Sequence, residues 1–281
     1  MIFATVRAKL PAMTTRDQRH LLALLLLAAA GAALAHDPPR PGPADPAPPP
    51  TILEGEVGGL KYLEVVPGHV APEGRLPMLV AIHGLGSHPR HFLRAFQGLR
   101  EPVRLILPQG PTPHRNGFSW FPLARADAGA DLGPMEAGIR ASAARIARLL
   151  ATLVPARPTV GKPIVTGFSQ GGMLSFALAL HHPEVVGLAI PVAGFLPPGL
   201  LPGTRPAGAR IPPIVALHGQ ADRRIKIDWV RAGVADLARA GIPVTLYEYP
   251  RVGHQLHGQM VQELFARIGV GLAEAAGDGE R

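Results

Sequence analysis

No cysteine occurs in the 281 residues. That absence excludes a disulfide framework, a thiolate nucleophile, an iron–sulfur cluster and any Cys-ligated zinc, and it leaves the compartment open. Charge is sparse as well, at 17% Asp, Glu, Lys and Arg against 47% hydrophobic residues, a balance that excludes a wholly disordered chain and suits a sizeable core. The net charge of +8 has no focus: basic residues are scattered, Arg223-Arg224 is the only adjacent pair, and no phosphate track of the kind that binds nucleic acid is present. Four bases, Arg7, Lys9, Arg16 and Arg19, against Asp17 place +3 of that total within the first 35 residues. Internal repeats and a second folded domain are also missing. The 33 Gly and 32 Pro follow no three-residue period, which excludes collagen and favours a loop-rich globular domain.

A long membrane-crossing run is lacking too. The most apolar stretch, Leu21 to Ala35, has 15 residues where a comfortable helical span needs ~20. It follows the polar segment Arg16 to His20 and closes on Ala33-Leu34-Ala35, the order of a secretory signal peptide with cleavage expected after Ala35. An uncleaved anchor is the rival, and Met13 is an alternative start because Met13 to Ala35 is a complete signal by itself. Without a Cys beside the cleavage site, a lipoprotein is excluded. His36 to Pro50 holds eight prolines in fifteen residues and reads as an extended spacer that joins neither a helix nor a central strand. The chain therefore divides into a signal peptide at 1–35, a Pro-rich linker at 36–50 and one folded domain at 51–281. A secreted or periplasmic destination is expected, with no stable membrane insertion after cleavage.

From Thr51 onward, Ile52 to Val57 and Leu60 to Val66 alternate around Gly58-Gly59 as a β-hairpin does. Short runs rich in branched residues follow: Leu76 to His83, Val103 to Pro108, Pro163 to Phe168, Val186 to Val192, Ile214 to His218 and Val244 to Tyr249. Such runs suit strands buried on both faces. Helical spacing appears between them at Arg90 to Leu99, Pro134 to Val154, Gln170 to His182, Ile227 to Ala240 and Gln255 to Leu272. The alternation predicts an α/β fold, a mostly parallel sheet with helices on both faces and a site beyond the carboxyl ends of the strands.

The chemistry-bearing residues sit at those ends. Gly167-Phe168-Ser169-Gln170-Gly171-Gly172 lies between a predicted strand and a predicted helix, so it meets both the GxSxG spacing and its required context. The flanking glycines have a steric reason, since the turn strains the nucleophile and crowds its neighbours against backbone. A serine needs a base to take its proton and a carboxylate to orient that base. Asp222 follows the strand Ile214 to His218, and His254 follows Val244 to Tyr249, which makes the order Ser169, Asp222, His254. The competitors His257 and Asp228 fall within predicted helices and are less favoured for that reason. For the oxyanion, the backbone N–H of Gln170 and that of Leu85, in His83-Gly84-Leu85-Gly86, are the candidate donors. His83 reads as structural. Trp120 and Phe121 either line an acyl groove or fill the core. The adjacent His181 and His182 make a poor metal pair on a helix and mark its end before Pro183, so no metal is expected. Gly84-Leu85-Gly86 lacks the further glycine of a dinucleotide fingerprint, so no cofactor is expected either.

The segments HGLG (83–86), SWF (119–121), GFSQGG (167–172), HGQAD (218–222) and GH (253–254), in this order, resemble the phospholipase/carboxylesterase family of α/β-hydrolases, which includes acyl-protein thioesterases. The resemblance extends over most of Pro77 to Leu272. It implies an α/β-hydrolase fold, a triad of Ser169, Asp222 and His254, oxyanion donors at Leu85 and Gln170, and carboxylic esters or thioesters as substrates. Ser87-His88 and Pro122 stand where relatives commonly carry Asp, so substrate preference is not carried over.

The expected function is a serine esterase acting on small or medium esters, including lysophospholipid or thioester, through an acyl-enzyme. A polyester depolymerase or peptidase with the same triad is the enzyme alternative, and a binding module on a hydrolase fold is the non-enzyme one. The Pro-rich connections Gln109 to Gly133 and Ala193 to Pro213 argue against a large lid and predict an open, shallow site with little room for a long acyl chain.

Overall fold

The computed structural model describes residues 48–123, 131–202 and 210–278. The apolar run Leu21 to Ala35 and most of the Pro-rich spacer lie outside the described residues. What is described of the spacer, Pro48 to Pro50, is exposed and irregular.

The predicted hairpin forms as β1 (Thr51–Val57) and β2 (Leu60–Val66), paired antiparallel with Val57 opposite Leu60. Gly58 and Gly59 make the two-residue turn, both at positive φ, as a hairpin of matching twist requires. The remaining strands of the main sheet are β3 (Met78–Ile82), β4 (Arg104–Pro108), β7 (Ile164–Phe168), β8 (Leu188–Val192), β9 (Ile214–Gly219) and β10 (Val244–Tyr249). Their order is β1-β2-β4-β3-β7-β8-β9-β10, parallel from β4 to β10 and antiparallel only where β2 meets β1 and β4. The missing strands in the numbering, β5 (Thr112–His114) and β6 (Gly117–Ser119), pair with each other in a separate ribbon.

Side-chain alternation along β3 shows why the sheet is apolar throughout. Met78, Val80 and Ile82 face one core, and Leu79 and Ala81 face the other. The first core is closed by α2 (Gly133–Ala156), α3 (Gln170–His181) and α4 (Ile227–Arg239), through residues such as Ile139, Ile146, Leu150, Phe176 and Leu237. The second is closed by α5 (Gly258–Asp278), through Met260, Leu264 and Ile268, together with Phe92 and Phe96. Helices therefore cover both faces, the α/β arrangement expected from the alternation.

Two predicted helices change. Arg90 to Leu99 is not one helix but a single turn, α1 (Pro89–Phe92), followed by a tighter 3₁₀ turn at Leu93–Phe96. The segment is too short to propagate in isolation, and it is fixed instead by packing of Phe92 edge-on to Phe96 and of Phe96 on Phe265. The last helix begins at Gly258 rather than Gln255, because the Gln255 N–H turns back to the Gly253 carbonyl.

One charged cluster lies inside. Arg104 opens β4 and is fully buried, and its guanidinium donates to Glu64 of β2 and to the Gly74 carbonyl (2.9 Å). Arg157, just past α2, donates to both Glu64 oxygens from Nε (2.9 and 3.2 Å) and to Oε2 from Nη2 (3.0 Å). The cluster ties β2, β4 and the end of α2 together, and removal of one partner from such a buried group costs roughly 3–5 kcal/mol.

Candidate active site

Ser169 is the hinge between β7 and α3. Its backbone sits at φ 58°, ψ −111°, a strained conformation for a residue with a side chain. The strain holds because the surroundings over-determine it. The Ser169 N–H donates to the Val192 carbonyl (3.0 Å) and the Ser169 carbonyl accepts from the Met173 N–H (3.1 Å). The glycine requirement is now measurable: a Cβ on Gly171 would lie 1.9 Å from the Ile82 carbonyl oxygen, and one on Gly167 would lie 2.5 Å from the Gly171 carbonyl carbon. β3, β7 and α3 meet at backbone contact, which leaves Ser169 at the apex.

The other two members arrive from the ends of β9 and β10. Ser169 Oγ donates to His254 Nε2 (3.0 Å), and His254 Nδ1 donates to Asp222 Oδ2 (2.7 Å). Asp222 Oδ1 accepts the N–H groups of Arg224 (2.8 Å) and Ile225 (3.0 Å), so both oxygens are engaged. Burial alone would raise the Asp222 carboxyl, but hydrogen bonds from His254 and from the Ile225 and Arg224 amides hold it below its ordinary value. It stays a carboxylate and dictates the imidazole tautomer that leaves Nε2 free to accept. The arrangement can pass the serine proton to an imidazole whose positive charge the carboxylate then offsets.

His218 supports the site from beneath. It is buried, its Nε2 donates to the Ile225 carbonyl (2.9 Å), and that same nitrogen lies 3.5 Å from Asp222 Oδ2. Burial lowers its pKa, so it stays neutral and fixes the loop that presents Asp222. Its place in HGQAD, just before the carboxylate, was the available signal.

The loop after β3 carries Leu85 into the same space, and it is clamped from beneath. Gly86 N–H donates to the Phe118 carbonyl (2.9 Å), and Phe118 N–H donates to the Ser87 carbonyl (2.9 Å), so the small β5–β6 ribbon fixes the loop. His83 completes the clamp: Nδ1 donates to the Gly84 carbonyl (2.8 Å), Nε2 accepts the Gly110 N–H (3.0 Å), and burial pushes its pKa down to about 4. It is a structural neutral imidazole, as its strand-end position indicated. The Leu85 N–H belongs to this clamped loop, and both Leu85 and Ser169 line the same cavity. Gln170 N–H lies at the first position of α3, where the helix dipole favours negative charge.

Trp120 and Phe121 resolve toward the core. They are 2% and 3% exposed and are absent from the lining of the cavity beside Ser169. Trp120 Nε1 donates to the His83 carbonyl (2.9 Å), while the Gln170 side chain accepts the Trp120 N–H (3.0 Å) and donates to the Phe121 carbonyl (2.8 Å). Their substrate-binding assignment is therefore corrected: backbone bonding turns both rings inward. The competitors of the pair also separate from the site. Asp228 is exposed on α4 beside Arg231, and His257 is exposed one residue ahead of α5 rather than inside it, where its Nδ1 accepts the Gln259 N–H (3.4 Å).

The cavity beside Ser169 has a volume of about 680 Å³. Its apolar lining comes from separate segments, with Leu85, Phe92, Met135, Phe195, Trp229 and Leu256 prominent. A shallow site was expected, and this is the second correction: the site is a cavity, to which the two Pro-rich connections contribute Leu123 and Phe195 among their described residues. No group of three or more His, Asp or Glu among the described residues could hold a metal ion. Among those residues no helix is long and apolar enough to cross a membrane.

A parallel sheet with a strained serine at the tip of its central strand and a histidine and aspartate from later strand ends is the design of an α/β-hydrolase. A family model described as Phospholipase/Carboxylesterase matches residues 63–269, and the chain belongs to that family of carboxylic ester hydrolases. A rice protein (Oryza sativa subsp. japonica) named a probable carboxylesterase is 29% identical over 167 residues, 57% of this chain and 71% of its own. A second rice protein, named a probable inactive carboxylesterase, is 38% identical over 93 residues, spanning 33% of this chain and 38% of its own. Among solved structures, acyl-protein thioesterase 2 of Zea mays shares the fold with a TM-score of 0.60 at 23% identity, covering 77% of this chain and 100% of the maize chain.

Proposed function

We propose that this protein is an exported serine esterase that cleaves carboxylic esters of short to medium acyl chain, oxygen esters or thioesters, through an acyl-enzyme. The observation that carries the proposal is the unbroken line Ser169 Oγ, His254, Asp222 opening into the apolar cavity. His254 takes the proton as Ser169 Oγ bonds to the ester carbonyl carbon. The oxyanion is received by the N–H groups of Leu85 and Gln170, and the protonated imidazole then returns its proton to the leaving alcohol. Water, activated by the same base, releases the acid and restores Ser169. One rice relative is named inactive, yet Ser169, His254 and Asp222 are all present and hydrogen-bonded here.

The test is a panel of p-nitrophenyl esters from acetate to palmitate with matching anilides. The wild type should hydrolyse the esters and leave the anilides. Its kcat/KM should climb by up to about fourfold per added methylene and level off near medium length, as ~0.8 kcal/mol per buried CH₂ fills the cavity. Ser169→Ala and His254→Ala should lose ~10³-fold or more, and His257→Ala little. A rate still rising at palmitate, or jumping once substrate exceeds its solubility, points to a true lipase instead.

A further inference from the structure

Some arginines on this surface are matched with acids, Arg90 with Glu54, Arg231 with Glu248 and Asp228, Arg239 with Asp236 and Arg267 with Glu263, and others, such as the exposed Arg75, Arg100, Arg145 and Arg148, have no acidic partner among the described residues. Two that line the cavity beside Ser169 are also unmatched. Arg94, in the 3₁₀ turn after α1, and Arg224, in the loop after β9, both border that cavity and have exposed side chains. Neither guanidinium forms an ion pair among the described residues.

The cavity's lining contains no Asp or Glu among the described residues, although it does contain His91, Ser87 and Gln255 as polar groups. Asp222, behind the cavity-lining His254, is buried with both oxygens bonded, to His254 and to the Arg224 and Ile225 amides. Arg223 precedes Arg224, and Lys226 sits with its ammonium 5.7 Å from the ring centre of Trp229, itself a cavity wall, while the acids of the same stretch are Asp222, already bonded, and Asp228, beside Arg231. An apolar cavity with unpaired guanidiniums from two separate elements and no acid in its lining is complementary to a ligand that is apolar in one part and anionic in another.

We propose that the preferred substrates are esters that also carry an anionic group, a carboxylate or a phosphate monoester, held by Arg94 and Arg224 where they line the cavity beside Ser169. The proposal rests on the esterase reading above and names its substrate class. The guanidiniums would act on the bound substrate rather than on the bond-making atoms, so they contribute to specificity. The anion can sit on either side of the ester: on the acyl part, as in a half-ester of a dicarboxylic acid, or on the alcohol part, as in an acyl glycerol phosphate.

Two matched pairs separate these sources. Mono-p-nitrophenyl adipate is compared with p-nitrophenyl hexanoate for the acyl side, and butyryl glycerol 3-phosphate with butyryl glycerol for the alcohol side, each corrected for uncatalysed hydrolysis. In at least one pair the wild-type kcat/KM should favour the anion by about tenfold, the scale of two exposed charge-assisted contacts. That ratio should fall toward one in the Arg94→Gln/Arg224→Gln double variant and survive largely in Arg94→Lys/Arg224→Lys. It should also shrink as salt is raised from ~20 mM to ~500 mM, because the guanidiniums are exposed. A ratio near or below one in both pairs, or a preference that the double Gln variant retains, overturns the proposal. Robust hydrolysis of the neutral esters with a flat ratio removes only this inference, whereas full activity in Ser169→Ala removes the esterase reading itself.

Discussion

At the scale of single residues, position relative to strand ends indicated that Ser169, Asp222 and His254 lie at one edge, because a parallel sheet delivers whatever follows its strands there, and the three side chains are indeed joined by hydrogen bonds. Side-chain direction was not legible there. Trp120 and Phe121 belong to a segment whose orientation is set by Gln170 and His83, residues 50 and 37 positions away in the chain, and no local pattern records that. His83 shows how a buried residue links the site to stability. Its pKa is pushed from the usual 6.5 to about 4 by burial. Above the usual value it is neutral folded or unfolded, so it costs nothing. As pH falls below that, the unfolded chain binds a proton that the folded one refuses, and stability drains away until about pH 4, by up to about 3 kcal/mol. His83→Gln keeps an acceptor for the Gly110 N–H and removes the titration. Urea unfolding at pH 7 and pH 4.5 should therefore show a smaller acid loss in the variant. Equal losses in the two proteins would mean that His83 is not held neutral by the fold.

At the scale of elements, the strands of the main sheet were legible as apolar runs and the long helices by their spacing. The β5–β6 ribbon was not, since strands of three residues, one containing Pro113, have no period to read. That ribbon nonetheless fixes the loop bearing Leu85 through Gly86 and Phe118. The junction of β3, β7 and α3 is the element-level feature most open to test, because it depends on backbone approach. Gly171→Ala forces a methyl against the Ile82 carbonyl and should destabilise by about 1–3 kcal/mol or more while displacing Ser169, with activity falling further than stability. Gly258→Ala, at the start of α5, meets nothing within 4 Å and should stay within about 0.5 kcal/mol of the parent. Thermal melts and ester rates on both variants make the comparison. Similar behaviour of the two would show that the elbow tolerates side chains at this contact.

At the scale of the whole molecule, the cavity was the least legible feature: its walls come from Leu85, Leu123, Phe195, Trp229 and Leu256, which no single motif connects. The proposed export rests on the other end of the sequence, where a basic stretch, an apolar run of 15 residues and Ala33-Leu34-Ala35 stand in the order of a secretory signal peptide. Amino-terminal sequencing of the protein recovered outside the cytoplasm should begin at His36, and a chain that retains Leu21 to Ala35 would instead be an anchored one. The central claim, that the folded chain is a serine hydrolase acting through Ser169, is tested most directly by mass spectrometry after treatment with a fluorophosphonate. The account predicts a single covalent adduct on the peptide containing Ser169, absent from Ser169→Ala and greatly slowed in His254→Ala. No adduct on the folded wild type, or an equal adduct on Ser169→Ala, would contradict it.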